Sequence, residues 1–160
     1  MSFEEIRVIT VVYLAVFLPL LIYWKYKSRL PKWIPSFYII SLVVCSLGWE
    51  LWFTYGWLDG DPVDLRRSEN LNKWLPKDIN WLLNSMGDAG AVLLGGTWLM
   101  WVTHKKNLMI FKKWNWTAFV VLYIWCVSQN IFVEMFLYHD QLADGKPLSW
   151  APLSPFGLSL

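Results

Sequence analysis

The sequence predicts an all-α integral membrane protein built as a bundle of four transmembrane helices. Of its 160 residues, 56% are hydrophobic and only 16% are charged, which is too apolar for an ordinary soluble domain of this length. Four apolar stretches each come near the ~20 residues that a helix needs to cross a bilayer. These predicted spans are 6–26, 34–57, 79–103 and 114–138.

The connections between the spans contain residues that interrupt helices. The first span follows Glu4 and Glu5 without a basic segment, and no small-residue cleavage site follows it, so we expect it to be retained. Pro31 and Pro35 separate it from the second span, and an Asp-Gly-Asp-Pro run at 59–62 opens the next connection. We therefore assign 1–138 to one four-helix transmembrane domain, with 139–160 as an irregular arm on its outer face.

Charge predicts the orientation of the bundle in a plasma or inner membrane. Two connections are basic and contain no acidic residue: Lys25, Lys27, Arg29 and Lys32 in the first, and His104, Lys105, Lys106, Lys112 and Lys113 in the second. Basic connections face the cytoplasm, so both termini and the 58–78 loop are expected on the non-cytoplasmic side. The clusters are too short for a nucleic-acid interface, and nucleic acid is excluded as a partner.

Three carboxylates lie inside the apolar stretches, and no Lys or Arg accompanies them there: Glu50, Asp88 and Glu134. An ionisable group is costly inside a bilayer and marks a functional site by default. Each acid also has polar neighbours four residues away, on the same face of its helix, in Ser46-Glu50-Thr54, Asn80-Asn84-Asp88 and Asn130-Glu134. We expect these stripes to meet in one cavity, although helix-to-helix hydrogen bonding without chemistry would use the same residues.

Aromatic residues are the second unusual feature, with 13 Trp, 9 Phe and 7 Tyr in the chain. This exceeds what two interfacial belts normally use. Four aromatic residues on the acid-bearing helices are predicted to line the cavity together with Asn84 and Asn130: Trp49, Trp52, Phe53 and Trp125. An acid beside aromatic faces suits a reaction through a carbocation, because ring quadrupoles stabilise positive charge.

Gly48-Trp49-Glu50 in the second span, and Asn130 with Glu134 in the fourth, resemble elements of two groups of membrane enzymes. One is the integral-membrane meroterpenoid cyclases, with an intramembrane Trp-Glu and a later Asp; the other is the emopamil-binding sterol isomerase family, with buried acids and an Asn. The first resemblance implies Glu50 and Asp88 as the acids, and the second favours Glu50, Glu134 and Asn130. The chain departs from the cyclases in having only four predicted spans, and it lacks an intramembrane His.

The predicted function is that of a small membrane enzyme, a terpene cyclase or isomerase, acting on a lipophilic, isoprenoid-like substrate by carboxylate acid–base chemistry. The alternative is a non-catalytic subunit of a larger membrane complex, or an oligomeric proton or cation conductor. Membrane lipids are expected partners in either case. No cofactor and no metal is predicted: neither His lies where haem ligation between helices needs it, although oxygen ligands would suit a hard cation.

Overall fold

A computed structural model describes residues 1–56 and 61–133 of the protein. Every regular element among these residues is helical, which confirms the all-α prediction. The helices are α1 (Phe3–Tyr26), α2 (Ile34–Leu47), α3 (Trp49–Tyr55), α4 (Val63–Arg66), α5 (Glu69–Trp74), α6 (Lys77–Ala89), α7 (Gly96–Thr103) and α8 (Trp116–Phe132). Glu134, the end of the fourth predicted span and the predicted 139–160 arm lie outside the described residues.

Helix α1 is the longest helix of the described part, and its start is defined by a capping box. The Ser2 hydroxyl accepts a hydrogen bond from the Glu5 amide, while the Glu5 carboxylate accepts one from the Ser2 amide at 2.8 Å. In the described part of the chain, the helical segment Phe3–Arg29 is the single one that is long and apolar enough by itself to cross a membrane. Only 17% of its most apolar window is buried.

The second apolar stretch forms two helices, α2 and α3, that meet at an angle of 42°. Gly48 lies at the bend, and a Cβ atom there would approach the Val44 carbonyl oxygen to 2.8 Å. A residue with a side chain would therefore force the bend to change. Counted together, α2 and α3 are long and apolar enough for one broken span.

The third stretch is a continuous helical run in which a π-helical turn, Gly90–Gly95, joins α6 to α7. The Gly96 amide donates to the Ala91 carbonyl five residues earlier, the bond that defines such a turn. The glycines of this run lie against two different helices. A Cβ at Gly87 would lie 3.3 Å from Ala15 of α1, and one at Gly95 would lie 3.4 Å from Trp125 of α8.

Residues 61–76, which we call the cap, lie within the predicted polar loop yet contain the two short helices α4 and α5. Leu71 and Leu75 are 1% and 0% exposed and form a core cluster with side chains of α1 and α6. Val63 is also buried, against Phe53 of α3. The cap is therefore packed onto the ends of α1, α3 and α6 through its apolar side chains. The prediction of a polar loop did not include this packing.

The outward faces of the long helices are apolar. More than a third of the surface of each of these side chains is exposed: Leu14, Phe17, Leu18 and Leu21 of α1, Ile39, Ile40, Val44 and Leu47 of α2, and Phe119, Val120 and Ile124 of α8. Soluble monomers rarely expose contiguous apolar patches larger than a few hundred Å². The described fold thus exposes hydrocarbon side chains over much of its length.

Candidate functional site

A small polar cavity of about 80 Å³ lies where α1, α3, α6 and α8 approach each other. Space of this size holds only a few water molecules. Its lining combines two carboxyl groups and two amides with aliphatic side chains: Val11, Val12, Ala15, Glu50, Leu83, Asn84, Gly87, Asp88, Ala91, Gln129 and Val133.

Glu50 enters this cavity from the first turn of α3 and is only 2% exposed. The Gly48 bend redirects the chain just before it, so the orientation of Glu50 depends on that bend. The Thr54 hydroxyl, one turn further along α3, donates a hydrogen bond to Glu50 Oε2 at 3.3 Å. The Asn84 amide of α6 is within hydrogen-bonding reach of the same carboxyl group.

Asp88 enters from α6, one helical turn beyond Asn84, and both residues are partly exposed and line the cavity. Its charge and that of Glu50 act on each other directly. Both carboxyl groups line the same cavity, one from α3 and the other from α6. The structure therefore brings two of the three predicted acids together within one chamber.

Residues of one predicted polar stripe contact different parts of the protein. On α6, Asn84 and Asp88 point into the cavity, whereas Asn80 is fully buried and its side-chain oxygen accepts from Arg67 Nη1 at 3.0 Å. On α2, the Ser46 hydroxyl donates to the Val43 carbonyl of its own helix at 3.1 Å. Thr54 remains with Glu50 because both lie on α3, beyond the bend.

Arg66 is a residue of the site that sequence reasoning missed. It is 1% exposed, its guanidinium lies 4.7 Å from the centre of the Phe53 ring, and Nη2 donates to the Phe53 carbonyl. Its charge also acts on Glu50, which lies one turn before Phe53. Arg66 belongs to a four-residue helix with no periodic pattern, so no sequence signal distinguishes it from an exposed basic residue.

Arg67, the next residue, joins the cap to α6 and is 5% exposed. Besides Asn80, it donates to Asn72 Oδ1 at 2.7 Å and to the Leu75 carbonyl. Burial, assisted by the positive charge of Arg66, lowers the pKa of Arg67 to about 10. Arg67 thus keeps its positive charge at neutral pH, and its hydrogen bonds hold the cap over the site.

The four predicted aromatic residues do not line the cavity. Trp49 and Phe53 pack around Val63 of the cap, and Trp52 is 37% exposed. The Trp125 indole donates to the Ala91 carbonyl at 2.7 Å, so its ring lies against the π-helical turn. Among the residues that the structure describes, the wall of the cavity is aliphatic and polar, which corrects the prediction of an aromatic lining.

On α8, the structure places Gln129 at the cavity, whereas the predicted Asn130 is exposed. Gln129 follows Trp125 and precedes Val133 at intervals of four residues, and Trp125 places this helical face against the π-helical turn and the start of α7. The predicted polar stripe of this helix, Asn130 with Glu134, lies on the neighbouring face. Glu134 itself lies outside the described residues.

Two carboxyl groups held at one cavity can exchange protons with a bound group, one as donor and the other as acceptor. The amides of Asn84 and Gln129 can orient that group by hydrogen bonding. Within residues 1–56 and 61–133, no group of three or more His, Cys, Asp or Glu side chains is arranged to hold a metal ion.

Comparisons of the chain with protein-family models, with curated proteins and with solved structures find no match.

Proposed function

We propose that this protein is a small multi-pass membrane enzyme that carries out proton transfer on a lipophilic, isoprenoid-like substrate. The observation that carries the proposal is the arrangement of Glu50 and Asp88, from two different helices, at one polar cavity. Buried carboxyl groups with perturbed surroundings are typical of catalytic sites. Carboxyl pairs that serve only as helix contacts do not need an adjoining cavity.

Membrane insertion is supported by the outward apolar faces and by the length of α1. We assign one span to α1, a broken span to α2 and α3, a third to the run 77–103 and a fourth that includes α8. Such a bundle satisfies its backbone hydrogen bonds internally, as a bilayer requires. The buried acids then face protein and the cavity, away from acyl chains.

In this proposal Glu50 and Asp88 act as a general acid–base pair, while Asn84 and Gln129 orient the reacting group. Glu50 accepts a hydrogen bond from Thr54 and is 2% exposed, whereas Asp88 is partly exposed, so the two acids are in different surroundings and can take different roles. The chamber accommodates the reacting end of a molecule, and the remaining hydrocarbon would lie in the membrane. An isomerisation needs only such a donor and acceptor, so it suits this aliphatic wall better than a cyclisation through aromatic-stabilised cations.

The direct test is to replace the two acids with their amides, Glu50→Gln and Asp88→Asn, in the producing host. Glu69→Gln, at an exposed acid of the cap, is the matched control. We expect both site variants to accumulate in membranes at the level of the control while the host's lipid profile shows an accumulated precursor. Lipid extracts analysed by mass spectrometry provide the measurement. Unchanged lipids with folded protein, or loss of both proteins from the membrane, would refute the catalytic role.

A second candidate function is a proton pathway in a membrane complex, and the small volume of the cavity favours it. A space of about 80 Å³ fits a short chain of waters between the two carboxyl groups. In liposomes, this function predicts proton flux that Asp88→Asn abolishes, without any change in lipid composition. The lipid analysis and the flux measurement therefore separate the two candidates.

A further inference from the structure

A second and larger cavity, of about 330 Å³, lies at the other end of the run 77–103, between α7 and α8. This volume is at the lower end of the roughly 300–1,000 Å³ found for small-molecule sites. It is lined by side chains of both helices and of the segment that connects them: Met100, Ile110, Phe111, Lys112, Lys113, Trp114, Asn115, Ala118, Phe119 and Leu122. We call it the α7–α8 cavity.

The shape of this cavity follows from the packing of the two helices. At its closed end α7 and α8 touch, since a Cβ atom on Gly96 would lie 2.5 Å from Leu122 Cδ1. One turn nearer the connection, the small residue Ala118 is 1% exposed and faces Met100 across the gap. Met100, Ala118 and Leu122 thus form an apolar slot, and the end of the cavity at the connection is lined by the exposed residues Lys112, Lys113 and Trp114.

Charge is concentrated at the open end. Lys112 and Lys113 are both exposed, both line the cavity, and neither forms a salt bridge with any residue that the structure describes. Trp114 follows them and is 66% exposed, with its ring centre 5.3 Å from that of Phe119. Exposed Trp beside Lys at the end of an apolar helix is typical of the boundary between lipid tails and head groups.

We infer that the α7–α8 cavity is a binding site for an anionic membrane phospholipid. The two lysines would bind the head-group phosphate, and an acyl chain would lie in the slot between Met100 and Leu122. Basic pockets between helices at the cytoplasmic face are a recognised type of head-group site. The inference rests on the proposed membrane insertion but not on the acid–base chemistry, because the two cavities share no lining residue.

The apolar slot distinguishes this ligand from a free phosphate ion. A free phosphate ion would bind to the lysines alone and would leave the surfaces of Met100, Ala118 and Leu122 unoccupied. A zwitterionic lipid would fill the slot but would bring its own positive charge to the lysines. Only an anionic lipid matches both parts of the cavity.

The test uses the full chain, purified in a neutral detergent, and native mass spectrometry with added phosphatidylglycerol or phosphatidylcholine of identical acyl chains. We expect preferential retention of phosphatidylglycerol. In the double variant Lys112→Gln/Lys113→Gln its affinity should fall by roughly 10- to 30-fold, from about 1 kcal/mol for each lysine. The matched control is Lys105→Gln/Lys106→Gln, which removes two charges from the same connection outside the cavity.

A second variant, Ala118→Leu, fills the slot and keeps both lysines. It should weaken binding of phosphatidylglycerol, and circular dichroism will check that its helices are intact; if it does not fold, the lysine variants still decide the question. Equal binding of the two lipids, an equal loss in the control pair, or displacement of the lipid by millimolar inorganic phosphate would each overturn the inference. Failure of the Glu50 and Asp88 lipid-profile test would leave these binding results unaffected, so the two proposals can fail separately.

Discussion

In the first half of the helical run 77–103 several polar side chains face other elements, whereas in the second half two threonine hydroxyls bond to the backbone of the run itself. On α6, Asn80, Asn84 and Asp88 find their surroundings in other elements: the cap, α3 and the cavity. On α7, the Thr97 hydroxyl donates to the Leu93 carbonyl at 2.5 Å, and the Thr103 hydroxyl donates to the Leu99 carbonyl at 2.7 Å. These two hydroxyls of the second half are thus bonded to the backbone of their own helical run.

This difference indicates which substitutions have distant effects. A side chain of α6 depends on residues far away in sequence, so changes in the cap reach the acid pair. A hydroxyl of α7 bonded to its own backbone does not depend on another element. Substitutions in the cap, at the bend, at the π-helical turn and at the surface test this difference through their effects on stability.

The largest effect is expected for Arg66→Met. It removes a buried cation that contacts the Phe53 carbonyl and ring; a hydrogen bond from a charged group contributes about 1.5–3 kcal/mol, and a desolvated cation–π contact about 2 kcal/mol more. The free energy of unfolding would be measured by SDS titration in mixed micelles. The control is Arg29→Met at an exposed position. A cost in Arg66→Met no greater than in the control would mean that the cap does not support the acid-bearing helices.

Gly48→Ala is the next in size. The added Cβ would lie 2.8 Å from the Val44 carbonyl oxygen, so the α2–α3 bend must shift, and such backbone strain costs about 1–3 kcal/mol. The control Gly90→Ala has 3.5 Å to its nearest neighbours, and we expect it to keep or raise the stability. The same unfolding titration decides the sign. A stabilising Gly48→Ala would refute the strained bend.

Trp125→Phe tests the π-helical turn that separates the two halves. The variant loses the indole bond to the Ala91 carbonyl, which contributes about 1 kcal/mol. Trp116→Phe removes an exposed indole and serves as the control. Thermal unfolding followed by circular dichroism measures both. Equal melting temperatures for the two variants would argue that α8 does not depend on this bond.

The smallest effect is predicted for Tyr55→Phe. Its hydroxyl donates to Asp78 Oδ1 at 2.8 Å at the exposed junction of α3 and α6, where solvent competes for the bond. We expect a loss of about 0.5 kcal/mol, with Tyr123→Phe, on the exposed face of α8, as the control. A loss as large as that of Arg66→Met would show that the surface of this junction matters as much as its buried cation.

Much of the helical layout was predictable because apolar runs and helix breakers are local. The predicted stretch 6–26 agrees with α1 to within a few residues, and 79–103 agrees with the run from α6 to α7. The residues Glu50, Asn84 and Asp88 could be singled out for the same reason, since a carboxyl or amide in an apolar run needs a partner. The bend at Gly48 and the π-helical turn are not visible in that pattern, because hydropathy does not report backbone geometry.

The structure of the cap could not be predicted from the sequence. Its charges balance, so the segment resembled a solvated loop, yet Arg66 and Arg67 are buried in it. Burial of an arginine depends on which oxygens accept its hydrogen bonds, and here backbone carbonyl and side-chain amide oxygens do so, from α3, from α6 and from the cap itself. The choice of Gln129 over Asn130 has a similar origin, since the rotation of α8 is set by Trp125 and Leu122 packing on the glycines of α7.

By itself, the sequence determined that the chain is helical and apolar and that acids stand inside its hydrophobic runs. Those properties follow from the free energy of each residue in its local helix or in hydrocarbon. Only the tertiary structure decided that Glu50 and Asp88 share a chamber, that aliphatic side chains form its wall, and that an arginine of the cap lies beside it. Such arrangements depend on contacts between elements distant in sequence, and local periodicity carries no record of those contacts.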